Sequence, residues 1–281
     1  MPDYFDLLGR SWSLFKKNPI LLLPLLIGFL LGLGFIVFAA VQFLIIFTAA
    51  VFTYSGREIL TKLISIWPIF LAIAIADLFV LLLIMSYVRA MQIGAYRDVT
   101  LNKKITAEKI LSYGAQHFRK YFAINLIKVL LYLPALAIVA IFLIKIFASL
   151  YGFVIFGNVP IVALAIPFLV AVLYIIALYF SLYFLDPIFS QKKLGPRETM
   201  KSSMGYTRNN LGHVLLAWLV MLLVSLAVSF VFFILALPVA ALSSTPSYLP
   251  ARALFEVIQW VISALLGVVL DLFLFSCYFK K

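Results

Sequence analysis

The sequence predicts an all-α, polytopic integral membrane protein, with six transmembrane helices and an interfacial amphipathic helix before spans 1, 3 and 5. Three observations carry that fold class. Hydrophobic residues make up 66% of the 281-residue chain and charged ones only 11%, with a mean hydropathy of +1.18. Soluble domains run near half apolar and a quarter charged, so the surface needed to hold this chain in water is missing. Six segments (20–52, 68–88, 122–148, 159–184, 211–241 and 254–279) each hold the roughly 20 apolar residues that the hydrocarbon core requires. Finally, these runs are apolar all round, not alternating as barrel strands do, and the 27 Phe and 14 Tyr exclude a disordered chain.

The opening arm can start a helix at Asp3, and Tyr4, Leu8, Trp12 and Phe15 then recur at helical spacing. Span 1 is too long for one perpendicular helix, so it tilts or emerges at one end, with Val51, Phe52, Thr53 and Tyr54 at the far interface. It lacks the short apolar core and small-residue cleavage site of a secretory signal and reads as a retained anchor. Before span 3, Thr106 can cap a helix whose apolar positions are Leu111, Ala115, Phe118 and Phe122. Before span 5, Pro196 suits a first helical position. Helices with an apolar and a basic face lie in the headgroup plane.

Topology follows from the cations. Arg10, Lys16 and Lys17 precede span 1. Arg89, Arg97, Lys103, Lys104, Lys109, Arg119 and Lys120 lie between spans 2 and 3. Lys192, Lys193, Arg197, Lys201 and Arg208 lie between spans 4 and 5, and Lys280 and Lys281 end the chain. Against these seventeen stand four on the other side, Arg57, Lys62, Lys145 and Arg252. By the positive-inside rule both termini are cytoplasmic and the protein belongs to the cell membrane. Within the net charge of +12, the clustered Lys and Arg predict anionic lipid headgroups as the main partner on that face, with no nucleic acid.

The chain reads as one membrane domain, 1–281, built from three pseudo-repeats, 1–100, 101–192 and 193–281, at a period of about 95 residues. Aligned on Phe15, Phe118 and Tyr206, each copy has a basic residue two places on (Lys17, Lys120, Arg208) and Ser or Gly four places back (Ser11, Gly114, Ser202). The interfacial aromatic-basic set is Trp12, Phe15, Lys16 and Lys17, then Phe118, Arg119 and Lys120, then Tyr206 and Arg208. All copies point the same way, unlike the inverted repeats of many alternating-access transporters. Loops that precede spans also gather aromatic and basic anchors without any duplication.

The stretch Arg10-Ser-Trp-Ser-Leu-Phe-Lys-Lys-Asn-Pro-Ile-Leu-Leu-Leu-Pro24 resembles the opening of the six-helix membrane domain found beside some prokaryotic glycerophosphoryl diester phosphodiesterases, and of related membrane proteins of unassigned function. Tyr183-Phe-Leu-Asp-Pro-Ile-Phe189, Gly195-Pro-Arg-Glu-Thr-Met-Lys-Ser-Ser203 and Asn209-Asn-Leu211 are similar to that family's second signature. The resemblance implies the same six-helix layout. Those enzymes carry their catalysis on a separate soluble barrel rich in His and acidic residues, which this chain has no room for.

Chemistry-bearing residues are few. His117 and His213 are too far apart for a local metal motif and read as polar interface residues. Cys277 reads as an inert buried thiol, with palmitoylation conceivable only in a eukaryote. The pairs Gly28 with Gly32, Ala72 with Ala76 and Ser225 with Ser229 allow close helix approach, within the chain or in a homo-oligomer. No catalytic group, cofactor or metal ligand set emerges, so the chain is not expected to be an enzyme.

Ionisable residues inside the spans are expensive unless paired or wet. Asp77 falls near the midplane, where it lines a hydrated site, makes a satisfied polar contact, or is protonated. Lys128 and Asp271 lie about 10 and 13 Å in from the basic side. They either face each other across spans 3 and 6, or Lys128 snorkels while Asp271 protonates. Asp186 turns the chain at the end of span 4, and Lys145 snorkels to the opposite headgroups. The expected function is a non-catalytic membrane protein whose basic cytoplasmic face binds anionic lipid or a protein partner in envelope organisation or regulation. The alternative is a transporter or channel for a small or lipidic solute, using a polar site around Asp77 and spans broken at Pro134, Pro167 and Pro238.

Overall fold

The structure, a computed structural model, describes residues 3–53, 56–150, 161–191, 194–241, 243 and 248–279. Tyr54, Lys192, Lys193, Lys280 and Lys281 lie outside the described residues, as do the side chains of Arg57 and Lys62. Every element described is a helix: α1 (Tyr4–Lys17), a 3-10 turn (Pro19–Leu22), α2 (Leu23–Thr53), α3 (Gly56–Thr100), α4 (Ala107–Leu150), α5 (Ile161–Ser181), α6 (Leu185–Gln191), α7 (Pro196–Asn209), α8 (Leu211–Ala241) and α9 (Tyr248–Phe279). Six stretches are long and apolar enough to cross a membrane, in α2 to α5, α8 and α9. The chain is an all-α, six-span, multi-pass membrane protein.

The helix boundaries have local causes. Asp3 accepts hydrogen bonds from the N–H groups of Phe5 (2.9 Å) and Asp6 (3.3 Å), capping α1, while Lys16 and Lys17 complement its negative C-terminal end. Thr106 accepts from the Lys109 N–H at 3.3 Å and opens α4. Pro196 starts α7, and Glu198 reaches back to the Gly195 N–H at 3.2 Å. α3 ends in a Schellman turn in which Asn102 takes the left-handed conformation (φ 56°). The Lys103 N–H then donates to the Asp98 carbonyl at 2.8 Å, and the Asn102 N–H to that of Val99 at 3.0 Å.

Two expectations about continuity change. The amphipathic stretch before span 3 is helical but runs straight into the span, forming one 44-residue helix. At 1.5 Å per residue that is about 66 Å, longer than a whole bilayer, so its first turns extend the span instead of lying as a separate helix. Pro134, Pro167 and Pro238 sit inside continuous α4, α5 and α8, so none of these helices is broken there.

The chain packs as two compact units. The first comprises Met1–Asn18, Tyr96–Lys103 and Ala123–Lys281; the second comprises Pro19–Ala95 and Lys104–Phe122. In the first, α1 lies along α9, which also packs on α8, and Leu7, Phe184, Val214, Phe273 and Cys277 form a common core. In the second, α3 and the start of α4 interlock through small residues. A side chain at Gly94 would collide with the Tyr113 ring, and one at Gly114 would lie 2.7 Å from Met91 and 2.9 Å from Tyr87. Of the expected small-residue contacts, Gly28 lies against Val88 (3.2 Å from where a Cβ would stand), while Gly32 has nothing within 4 Å.

Candidate functional site

Hydroxyl and small residues recur beside apolar ones on the inner faces of the amphipathic helices. In α1 the expected stripe included Trp12, yet Trp12 is 47% exposed and the packed seam is Leu7 and Ser11, flanked by Tyr4 and Leu8. Ser11 Oγ donates to the Leu7 carbonyl (2.7 Å) and lies 3.5 Å from Ser276 Oγ on α9. In α4 the expected Leu111 and Ala115 are exposed, and the buried face is instead Ile110, Tyr113, Gly114 and Tyr121. The reason is general to bilayers: lipid tails are as apolar as leucine, so hydrophobicity does not say which face turns inward, whereas small and hydroxyl groups do. In α7 the inner face is Thr199, Met200, Ser203 and Thr207. Ser203 Oγ donates to the Ser181 carbonyl (3.0 Å) and Thr207 Oγ1 to that of Phe180 (3.1 Å). These carbonyls sit at the C-terminal end of α5, where helical partners run out.

The aromatic-basic residues take one pattern in all three segments. Phe15, Phe118 and Tyr206 are half-buried, while Lys17, Lys120 and Arg208 are exposed, as are Lys16 and Arg119. Lys16 Nζ lies 5.2 Å over the Trp12 ring, and Trp12 stands 5.8 Å from Phe15. Phe118 meets Tyr87 edge-on at 6.2 Å, and Tyr206 packs 5.1 Å from Phe184 and 5.3 Å from Tyr278. Ser11 and Gly114, four places before the aromatic, are buried; in the third segment the buried serine is Ser203 and Ser202 is half-buried.

His213 is not a free interface residue. Its Nδ1 is hydrogen-bonded to the Tyr4 hydroxyl at 2.5 Å, and its ring stacks on Phe184 at 5.6 Å. Burial pushes the Tyr206 hydroxyl up to about 12 and raises that of Tyr4. The folded pKa of Tyr206 exceeds its unfolded value, so its contribution is intact below pH 10 and is lost as pH climbs toward 12.

Charged side chains inside the spans divide sharply. Asp98, 1% exposed, is held by Arg97 through Nε and Nη2, both at 3.0 Å, and Arg97 Nη1 donates to the Ser190 carbonyl at 3.1 Å. This pair ties the end of α3 to α6. In the sequence Arg97 stands among the cations between spans 2 and 3, which masks its pairing with Asp98. Lys145, expected to snorkel, is instead buried at 8% exposure. Lys128 and Asp271 are both half-buried members of the first unit.

Asp77 is different. Near the middle of α3, it lines a cavity of about 250 Å³ between α2 and α3 in the second unit. Eleven residues after Gly28 and eleven before Val88, Ala39 and Asp77 come to the same cavity. Gln42 supplies its other polar wall, and Phe43, Phe70 and Ile73 the apolar ones. The Gln42 Oε1 atom is buried and has no hydrogen-bond partner among the described residues. A buried acceptor left so costs about 1–3 kcal/mol. Gln42 went unnoticed in the sequence because an amide carries no charge, although it is the one amide within the 20–52 run.

No family model matches the chain, and no curated protein or solved structure was found that matches it.

Proposed function

We propose that the chain is a non-catalytic protein of the cell membrane, with both termini in the cytoplasm, whose basic face holds anionic lipid headgroups in envelope organisation or regulation. A protein partner would meet the chain on that same face. The observation that carries this is the pattern repeated in α1, the first turns of α4, and α7: an aromatic half-buried and a Lys or Arg exposed two places on. Phe5 (74% exposed) and Trp12 beside Lys16 add an apolar and cationic surface of the kind that suits the headgroup boundary. The likeness of Arg10–Pro24 to a membrane domain that accompanies a separate catalytic barrel fits a non-catalytic role. Neutralising Lys17, Lys120 and Arg208 together, each to Gln, should weaken retention of phosphatidylglycerol in native mass spectrometry, at about 1 kcal/mol per residue and more at low salt. Unchanged lipid occupancy in a folded variant would contradict it. The orientation is tested by cysteine labelling from outside in a Cys277→Ala background, which should reach Ser243→Cys and spare Lys103→Cys.

A second reading, transport of a small or lipidic solute, is favoured by one specific observation: Asp77 and Gln42 share a cavity at bilayer depth.

A further inference from the structure

The cavity between α2 and α3 has a chemistry that narrows what can fill it. Among the described residues Asp77 is the only ionisable side chain on its walls, and no hydrogen bond or ion pair joins Asp77 to another described residue. A carboxylate at this depth is costly unless a cation meets it or it takes a proton. The walls hold three side-chain oxygens, two on Asp77 and one on Gln42, the last reached by an occupant once the amide turns. Ca²⁺ takes six to eight oxygens and Mg²⁺ demands near-ideal octahedral geometry, so three side-chain oxygens in an apolar wall suit neither. A primary ammonium carries three N–H donors, which the carboxylate can take up, with the Gln42 amide oxygen as a further acceptor. Phe43 and Phe70 present aromatic surface to a cation, and Ile73 to an apolar body. At about 250 Å³ the space lies below the roughly 300–1,000 Å³ of sites for drug-sized ligands, so the occupant is small.

We infer that this cavity binds a small primary ammonium bearing an apolar body, held by Asp77 and Gln42. The inference rests on the second reading for its site but not for movement of the ligand across the membrane.

The test uses the full chain in nanodiscs, with phenethylamine as probe at pH 7, where it is protonated, and empty nanodiscs subtracted. Saturable binding is expected. Asp77→Asn should weaken it at least tenfold and Gln42→Leu about threefold, while uncharged 2-phenylethanol should fail to compete. Absence of saturable binding, equal affinity in Asp77→Asn, or equal competition by 2-phenylethanol would overturn the assignment. If Asp77→Asn does not fold, Gln42→Leu and the alcohol comparison on the unaltered chain decide the matter. Proteoliposome uptake separates the two ideas. Binding that depends on Asp77 without any uptake supports the site and removes transport. Uptake indifferent to Asp77→Asn places any transport elsewhere, and the binding result alone then decides the site.

Discussion

Asp77 and Asp98 sit twenty-one residues apart on the same helix and have met opposite fates. Asp98 is enclosed in the first unit, where Arg97 takes its charge and is itself fixed by the Ser190 carbonyl. Asp77, in the second unit, turns toward a cavity whose other polar wall is an amide oxygen without a partner among the described residues. The difference is one of supply. Where the fold provides the counter-charge, an acid is a fastening; where it provides only space and acceptors, an acid is a place for something from outside.

The comparison can be broken first at Arg97. Arg97→Ala takes two contacts from the Asp98 carboxylate in a site only 1% exposed to solvent, and removing one partner of a buried ion pair costs about 3–5 kcal/mol. Thermal or denaturant unfolding in detergent should register a loss near the lower end of that range. A change below 1 kcal/mol would mean that water reaches Asp98 after all.

Much of the architecture was legible beforehand, and the reason is that bilayer physics writes it in one dimension. Segment length and apolarity mark the spans, and α8 was bounded to the residue at 211–241. Caps such as Asp3 and Pro196 are local chemistry and could be read directly. Facing was not legible, because Leu111 and Ile110 look alike to a hydropathy scale while one faces out and the other in. Asp77 stood out because it is charged, whereas Gln42 hid in an apolar run and Asp98 hid beside a cation. Close approach at Gly94 and Gly114 depends on what the fold brings opposite them, Tyr113 in one case and Met91 with Tyr87 in the other.

Those glycines give the next largest effect. Gly114→Ala places a methyl 2.7 Å from Met91 and 2.9 Å from Tyr87. Overpacking of this kind costs about 1–3 kcal/mol, and the loss should be larger than for Gly32→Ala, where nothing lies within 4 Å. Equal changes in the two variants, both in the stabilising direction that helix propensity gives Ala over Gly, would show that packing does not govern the α3–α4 seam.

Smaller again is the coupling proposed between Lys128 and Asp271. If they satisfy each other, Lys128→Met and Asp271→Asn should each destabilise the protein, and the double variant should cost less than their sum by about 1 kcal/mol. Strict additivity would leave Lys128 to the headgroups and Asp271 to a proton or a hydroxyl.

The distinction between a fastening and an open site is tested most directly by measuring unfolding stability for Asp98→Asn and Asp77→Asn side by side, without added ligand. Loss of the charge-assisted hydrogen bonds from Arg97 should cost Asp98→Asn about 2 kcal/mol. Asp77→Asn breaks no hydrogen bond or ion pair to another described residue and should leave stability unchanged or raise it. Comparable destabilisation by both substitutions would contradict the account, because Asp77 would then be as firmly built into the fold as Asp98.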